Sequence, residues 1–474
     1  MSKKASHLGS KPIPGLFFGM AAPIAVGMMV HGLYNVVDAI FVTRVIGVDA
    51  MGGISIVFPI QMFIFALATL VGSGMASIAA RHLGAKDEAS ANGAIDIAFR
   101  LGLTMALFIT LGIYFNINSL LLLLGVSEAL WPYAYDYLVP LVLFSFPIVL
   151  ISSIPSDLLR AEGKAVLMMV SMVSSAVLNI ILDAVFIFGL GMGVEGVAYA
   201  TIIAQIFAAA VMLYFILGGK TQLKLQPFTY KMDWSLLKDI VLLGIPILIS
   251  HAGVSVFIGL TNYTVAQFPE ANSDLYVSAY GLIGRLMIFF ILPAIAMTIS
   301  FQTLAGYNYG ARQYDRVLTT IKVGLGASLC YGVSVSALML LIPDQIIGIF
   351  TQDQALLDTT AMIAFWAFIF FPLSNAHSVI SSLFQALGKA RQAIFLSSLR
   401  IYLVLIPAIL ILPRIYGIDG IWYSYPIADM VAFSVVIYFV LRERASLIRR
   451  NAASAASLGQ NEDQSPSPQA DSGA

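Results

Sequence analysis

Two polar residues, four positions apart inside a long apolar stretch, are the strongest candidates for chemistry in this sequence. Asn179 and Asp183 interrupt a run from Ala165 to Phe188, which is long enough to span a bilayer as a helix. At helical spacing both side chains face the same side. An ionised carboxylate that faced lipid would cost several kcal/mol, so this face should look into the protein or into a wet cavity. We therefore interpret Asn179 and Asp183 as part of a functional site.

The composition indicates the class of protein in which Asn179 and Asp183 must be positioned. Of 474 residues, 59% are hydrophobic and 11% are charged, and the mean hydropathy is +0.90. These values exclude an ordinary soluble domain and predict a polytopic membrane protein. The formal net charge of zero gives no indication of a nucleic-acid partner. The single cysteine excludes an intramolecular disulfide, and no cleavable signal peptide is expected, because the first apolar run continues as a full span.

Apolar segments divide nearly the whole chain and predict an all-α membrane protein with about twelve transmembrane helices. Each segment has ~20–30 residues, which suits a tilted helix and is too long for a barrel strand. The segments are 14–43, 53–80, 93–116, 132–157, 165–189, 194–218, 237–268, 276–306, 317–342, 357–386, 391–413 and 418–441. After Ala445 the composition changes to Ser, Ala, Gln, Pro and Asp, so residues 442–474 are predicted to form a disordered tail.

The distribution of basic residues predicts the orientation. Twenty of the 25 Lys and Arg residues fall in the set of connections that also contains both termini, whereas the opposite connections hold Arg44 and Arg414. By the positive-inside rule both termini are cytoplasmic. We expect a multi-pass protein of a prokaryotic plasma (inner) membrane.

An internal repeat divides the chain into two halves of six helices. Arg160–Lys164 returns as Gln385–Lys389, so that Gly388 is the counterpart of Gly163. Two halves with an even number of helices insert with the same topology, so a pseudo-twofold axis along the membrane normal should relate them. The predicted organisation is a cytoplasmic N-terminus, an N-lobe, a cytoplasmic inter-lobe linker, a C-lobe and the tail, over residues 1–13, 14–218, 219–236, 237–441 and 442–474. Such symmetry is typical of carriers that alternate access between two bundles, although fold alone does not establish function.

The acidic residues break this symmetry. By the repeat, Asp183 corresponds to Ala408, Asn179 to Val404 and Asp38 to about Thr261. Because rules of backbone packing would apply to both halves, a one-sided polar set suggests chemistry assigned to one bundle.

The helix rise places this polar set in one layer. Asp38 should lie ~8 Å, Asp183 ~9 Å and Thr201 ~8–10 Å from the outer ends of the first, fifth and sixth helices. Tyr34 and Asn35 lie one turn deeper and could join the layer. A carboxyl there can carry a proton, or with amide and hydroxyl oxygens it can hold a small hard cation such as sodium. The alternative is a buried polar network that only fixes helix packing.

The second half offers a different polar pair. Arg285 and Asp429 lie in predicted helices eight and twelve, and we expect them to form a buried ion pair that is structural or lines a cleft. Arg400 has no obvious partner in the sequence. The histidines are isolated and the sequence has no His or Cys cluster, so we do not expect metal catalysis.

Three separated motifs resemble the multidrug and toxic compound extrusion (MATE) family. They are Tyr34–Val42, Leu178–Asp183 and Gly191–Thr201. The resemblance implies two six-helix lobes around a V-shaped cleft and the export of cationic amphipathic compounds in exchange for protons or sodium. Asp38, Asn179, Asp183 and Thr201 match the N-lobe cation-site pattern of the DinF-like branch, and they would be the metal ligands if sodium is the coupling ion. The NorM-like branch relies on C-lobe acids, whereas the seventh helix here offers Thr261 and Asn262.

The expected function is therefore that of a secondary antiporter and not of an enzyme. We expect a monomer in the lipid bilayer with small organic, cationic amphipathic substrates, no cofactor, a coupling H⁺ or Na⁺, and no nucleic-acid partner. The nearer alternative is a lipid-linked oligosaccharide flippase of the same superfamily, which would need several arginines in the cleft for the pyrophosphate. A more distant alternative is a membrane-embedded transferase, which would need a clustered acid or His motif near an interface.

Overall fold

The computed structural model describes residues 7–226, 228–268 and 273–463, and within these ranges every regular element is a helix. Eleven helices of the described chain are long and apolar enough to cross a membrane, and two further helices, bent by 44° at their junction, make a twelfth span. In chain order the spans are α1 Ile13–Ile46, α2 Val48–Gly84, α3 Glu88–Phe115, α4 Trp131–Ala161, α5 Ala165–Gly189, α6 Val194–Lys220, α7 Trp234–Ala266, α8 Ser273–Gly310, α9 Tyr314–Leu341, α10 Gln354–Phe368 with Phe371–Ala386, α11 Ala390–Tyr416 and α12 Asp419–Asp463. The prediction of about twelve transmembrane helices is confirmed.

The C-terminal tail differs from the prediction. Helix α12 continues past residue 441 to Asp463, whereas residues 442–474 were expected to be disordered; residues 464–474 lie outside the described part of the chain. The extension is anchored, because Leu447 is fully buried and Arg450 Nη1 donates a 2.8 Å hydrogen bond to Tyr309 Oη. An established helix also extends easily through an Ala-rich segment, since each added residue forms a bond without a new nucleation cost. Composition alone did not reveal these contacts.

Capping aspartates set the start of several spans. Asp87 precedes α3 and accepts a 3.0 Å hydrogen bond from the backbone N–H of Ser90. Interactions of the Ser90 hydroxyl and of its backbone N–H with the charged carboxylate both lower the pKa of Asp87 below its usual range. Asp233 caps α7 in the same way, and its Oδ1 accepts bonds from Ser235 and Leu236. Such caps satisfy N–H groups that the first helical turn leaves without partners.

The repeat is visible in the backbone as well as in the sequence. Lys86 has φ 61°, and Arg312, its counterpart in the second half, has φ 58°. Gly163 and Gly388 have φ 72° and 76°. A positive φ is uncommon for a non-glycine residue, so its recurrence at equivalent turns shows that both halves follow one backbone plan.

The buried side chains define two lobes, α1–α6 and α7–α12, that share one buried cluster and have one separate cluster each. One large buried cluster contains residues of both lobes, including Met75 of α2 and Phe301 of α8. A second cluster contains residues of α1–α6 and their connections only, and a third contains residues of α7–α12 and their connections only. The shared cluster includes Leu8 and Leu447 and so lies toward the face that carries both chain termini, here called the terminal face. The lobes therefore join at the terminal face and separate toward the opposite, distal face.

Two equivalent glycines allow the lobes to cross closely near the terminal face. A β-carbon on Gly84 of α2 would collide with the carbonyl oxygen of Tyr307 of α8, and one on Gly310 of α8 would collide with that of Arg81 of α2. Gly84 and Gly310 are equivalent by the repeat, and Arg81 and Tyr307 are as well. The crossing of α2 and α8 thus lies on the pseudo-twofold axis, and only glycine permits its backbone approach.

Candidate cation site in the N-lobe

Two carboxyl groups meet inside the N-lobe. Asp38 of α1 and Asp183 of α5 lie close enough to interact directly with each other, although they stand near opposite ends of the N-lobe sequence. Asp183 is fully buried and Asp38 is half-buried. The close packing of α1 on α5 brings them together, with Gly27 of α1 against Met172 of α5 several turns deeper.

The pair has no donor to satisfy it. Within the described chain, no N–H or O–H group donates to Asp38 Oδ1 or to either carboxylate oxygen of Asp183. Ionised carboxylates are acceptors only, so two of them can hydrogen-bond to each other only when one carries a proton. Like charges at this range and with little solvent also repel strongly. The geometry therefore suits a shared proton or a bound small cation.

An amide from the same helix adds two more polar atoms. Asn179 lies one turn below Asp183, is 1% exposed, and neither its Oδ1 nor its Nδ2 has a hydrogen-bond partner among the described residues. Buried polar atoms are normally paired, so an unpaired amide beside an unpaired carboxyl again points to an ion or water ligand.

The fourth predicted residue, Thr201, lies on the helix that faces this amide. Ser171 and Ser175 of α5 donate hydrogen bonds of 2.9 Å and 2.8 Å to the carbonyls of Ala208 and Ala204 of α6. Because the helices are antiparallel, the next turn brings Asn179 opposite Ala200, the residue next to Thr201. In the described chain no hydrogen bond joins the Thr201 hydroxyl to either acid, so the structure places Thr201 at this level without a direct contact to them.

The two possible supporting residues differ in their positions. Tyr34 is half-buried and close enough to interact electrostatically with both Asp38 and Asp183. Its hydroxyl lies 3.4 Å from His31 Nε2. Asn35 is exposed, and its Nδ2 donates a 2.8 Å bond to the carbonyl oxygen of His31. Tyr34 thus belongs to the polar layer, whereas Asn35 bonds to the backbone of its own helix.

A residue that sequence reasoning missed completes the layer from α4. Tyr137 is 6% exposed, interacts electrostatically with Asp38 and Asp183, and accepts a 3.3 Å hydrogen bond from Gln61 Nε2 of α2. Since its oxygen accepts that bond, its own O–H proton remains available for the carboxyl pair. Tyr137 is one of 20 tyrosines, and no sequence motif distinguishes it from the others. The one available signal is its position one turn before Pro140 of α4.

Short π-helical segments follow both acids. The α-helical part of α1 ends at Phe41 and a π-helical segment covers Val42–Ile46; in α5 the π-helical segment is Val185–Gly189. Segments of this kind are rare and are frequent at functional sites, where they shift the direction of neighbouring side chains.

The predicted C-lobe pair of Arg285 and Asp429 is wrong in one partner. Asp429 of α12 is 1% exposed and pairs with Arg400 of α11, whose Nε lies 2.6 Å from Asp429 Oδ1. Arg285 of α8 is exposed instead. Arg400 lies in a π-helical segment, Leu399–Leu405, which changes the direction of its side chain and could not be anticipated from helical periodicity.

The described part of the chain brings no three His, Cys, Asp or Glu side chains together as a metal cluster. The N-lobe layer therefore has two carboxyls with amide, phenol and hydroxyl groups around them. Oxygen ligands of this kind suit a hard cation and not a soft transition metal.

Comparison with known proteins identifies the family. The family model MatE matches residues 23–185 and 246–411, one match in each half of the chain. Curated relatives include the multidrug export protein MepA of Staphylococcus aureus (strain NCTC 8325 / PS 47), 24% identical over 444 residues with 93% of this chain and 97% of that protein covered. The probable multidrug resistance protein YoeA of Bacillus subtilis (strain 168) is 25% identical over 430 residues and covers 87% of this chain and 90% of its own length.

Solved structures share the fold. An outward-facing multidrug resistance MATE family transporter of the MOP superfamily superimposes with a TM-score of 0.87 at 24% identity, over 95% of this chain and 99% of that chain. A MATE structure in the straight conformation gives 0.86 at 25% identity, over 95% and 100%. Both halves of the family model, the full-length relatives and the shared fold agree, and the chain belongs to the MatE family of MATE transporters.

Proposed function

We propose that this protein is a secondary multidrug exporter that exchanges small organic, cationic or amphipathic compounds for protons or sodium. The N-lobe pair Asp38 and Asp183 is its coupling site, with Asn179, Thr201 and Tyr34 around it. The single observation that carries this proposal is a pair of neighbouring, donor-free carboxyls in one lobe only, of which Asp183 is fully buried and Asp38 half-buried. A packing network would satisfy its polar atoms, whereas this pair needs a proton or a cation.

The basic residues support the assignment of sides. The connections at the terminal face hold most of the Lys and Arg residues, so we assign this face to the cytoplasm of a prokaryotic inner membrane. The lobes then separate toward the outside. A cation from outside would bind Asp38 and Asp183, neutralise the N-lobe and release the organic cation. The cation would be carried inward when the lobes reverse.

This scheme couples the two fluxes by competition. An organic cation and the coupling ion both favour the ionised lobe and cannot both neutralise it, so binding of one weakens binding of the other. The presence of neighbouring, donor-free acids in the N-lobe favours the DinF-like arrangement over one with C-lobe acids. Both H⁺ and Na⁺ remain compatible with the donor set, and the chain is proposed to act as a monomer.

The relatives and the C-lobe argue against the flippase alternative. MepA and YoeA are named as a multidrug export and a probable multidrug resistance protein, which favours organic compounds as substrates here. A pyrophosphate would need several free guanidinium groups. Arg400 is already paired with Asp429, so its positive charge is offset.

The test is dye transport in liposomes. Purified protein would be scored for ethidium movement under a proton gradient and a sodium gradient applied separately. We expect Asp38→Asn and Asp183→Asn each to abolish gradient-driven transport. An amide is uncharged, so it has no negative charge for the coupling ion to neutralise. Asp49→Asn, at an exposed acid in the first turn of α2, is the matched control and should transport normally.

Each result has a clear meaning. Wild-type transport by either site variant would overturn the assignment of the coupling site. Transport that requires neither gradient would overturn antiport itself. A response to one gradient only identifies the coupling ion.

A further inference from the structure

The segment that precedes α1 crosses from one lobe to the other at the terminal face. Leu8, in the short helix His7–Ser10, is 7% exposed and packs against Gly163 in the α4–α5 turn of the N-lobe, where a β-carbon would lie 2.7 Å from its Cδ2. The backbone of the same segment is held by the other lobe.

The C-lobe holds this segment through one arginine. Arg316 Nη2, in the first turn of α9, donates hydrogen bonds to the carbonyl oxygens of Leu8 and Lys11, at 2.9 Å and 2.8 Å. Arg316 Nε donates at 2.8 Å to Asn308 Oδ1 of α8, which fixes the guanidinium. Asn308 is fully buried, and its Nδ2 reaches the same Leu8 carbonyl at 3.4 Å.

The segment that precedes α7 is held in an equivalent way by the N-lobe. Arg100 Nη2 of α3 donates a 2.5 Å hydrogen bond to the carbonyl oxygen of Tyr230. Asp96, one turn earlier and 1% exposed, accepts bonds from the backbone N–H groups of Phe228 and Tyr230 at 2.5 Å and 3.2 Å. Tyr230 stands about as far before α7 as Leu8 stands before α1.

The two clamps share a geometry but not a sequence motif. In each, a guanidinium from the third helix of one lobe binds a backbone carbonyl just before the first helix of the other. By the repeat that pairs Gly84 with Gly310, Arg100 corresponds to Gly326 and not to Arg316, so the two arginines are not equivalent positions. Their similar contacts therefore reflect the same mechanical requirement and not simple duplication.

We propose that Leu8–Lys11 and Phe228–Tyr230 are a pair of latches that hold the lobes together at the terminal face and must release each time the lobes separate there. Each bond to a guanidinium is charge-assisted and stronger than a neutral one. The N-terminal latch opposes separation directly, because Leu8 is packed on one lobe while its carbonyl is held by the other. The latches thus set the balance between the two access states without touching the coupling site. The proposal rests on the lobe motion of the proposed function and not on its coupling residues.

Spin-label distances test the proposal. Labels would replace exposed residues on α3 and α9 through Glu88→Cys and Thr319→Cys, in a full-length Cys330→Ser background. The parent should show mainly the short distance of the joined terminal face. In Arg316→Ala and in Leu8→Ala we expect the ratio of long to short distances to rise about tenfold, because hydrogen bonds to a charged group or a buried apolar contact are lost.

The controls separate the latch from general effects. Arg391→Ala removes an exposed cytoplasmic-side charge at the start of α11 and should leave the distances unchanged. An unchanged ratio in both Arg316→Ala and Leu8→Ala, or an equal shift in Arg391→Ala, would overturn the proposal. If Arg316→Ala did not fold, Leu8→Ala would still test the same latch from its other side. The distances need no substrate, so they can fail or succeed independently of the transport assay.

Discussion

The ion pair between Arg400 and Asp429 allows the clearest test of the C-lobe geometry. Asp429 is 1% exposed and the Arg400 side chain 21% exposed, so both charges are largely removed from water. Asp429→Asn keeps the shape of the side chain and removes its charge. Arg400 would then carry a buried positive charge without compensation, which is the costly way to break such a pair.

The expected loss follows from the distance and the surroundings. Two unit charges ~4 Å apart at an effective dielectric constant of ~20 interact by about 4 kcal/mol. The partial exposure of Arg400 reduces this value, since water screens the remaining charge. We therefore expect Asp429→Asn to lower the free energy of unfolding by about 3 kcal/mol, near the lower end of the range for broken buried pairs.

The measurement is equilibrium unfolding of the purified protein in mixed detergent and SDS micelles. Arg285→Ala is the matched control, because Arg285 is exposed, and it should change stability by no more than about 0.5 kcal/mol. Arg400→Leu with Asp429→Leu should lose far less than either single change, since apolar replacement of a whole buried pair is often nearly neutral. The pairing would be refuted if Asp429→Asn lowered the free energy of unfolding by less than about 1 kcal/mol, or if Arg285→Ala lowered it by more than Asp429→Asn does.

Two further predictions concern the polar layer and a helix cap. Tyr137→Phe removes a hydroxyl whose proton is available to the acid pair during the transport cycle, and we expect it to lower gradient-driven dye transport about tenfold, the effect of one hydrogen bond to a charged group. Tyr135→Phe, at an exposed position on the same helix, should transport normally. Equal transport by both variants would contradict the role of Tyr137. Asp87→Ala removes the cap of α3 and should cost about 0.5–1 kcal/mol at neutral pH. The lowered pKa of Asp87 means that this contribution is present above the unfolded pKa and is lost as pH falls through the folded pKa, so the stability difference between the two proteins should shrink as the pH is lowered from neutrality to below ~4. A difference that stayed constant over this range would contradict the electrostatic part of the cap.

The features that were predictable from the sequence are those that the order and spacing of residues along the chain determine. Hydropathy located every span because the bilayer requires about 20 apolar residues in a row. The repeat was visible because its turns need the same backbone conformation, as at Gly163 and Gly388. The helix rise predicted that Asp38 and Asp183 share a layer, and in the structure they lie close enough to interact with each other.

The features that were missed depend on rotation and packing between helices. Whether Asp429 faces Arg285 or Arg400 is decided by the azimuth of three helices, and the π-helical segment around Arg400 alters that azimuth without a sequence signature. Tyr137 joined the polar layer through tertiary packing alone. The latch at Leu8 depends on Arg316 of the other lobe, and such pairing cannot be inferred from local composition.

The contrast between the two halves separates the scaffold from the chemistry. The crossing glycines, the positive-φ turns and the clamped segments occur in both halves, as expected if lobes that move against each other need the same mechanics on both sides. The neighbouring, donor-free acids occur in the N-lobe, where their repeat counterparts Ala408 and Thr261 cannot ionise. An ion that binds to just one of the two lobes changes the charge of that lobe relative to its partner. It can therefore favour one arrangement of the two lobes over the other. Two symmetric sites would change both lobes alike, so the asymmetry of the carboxyls is what would let a single bound cation bias an otherwise symmetric motion.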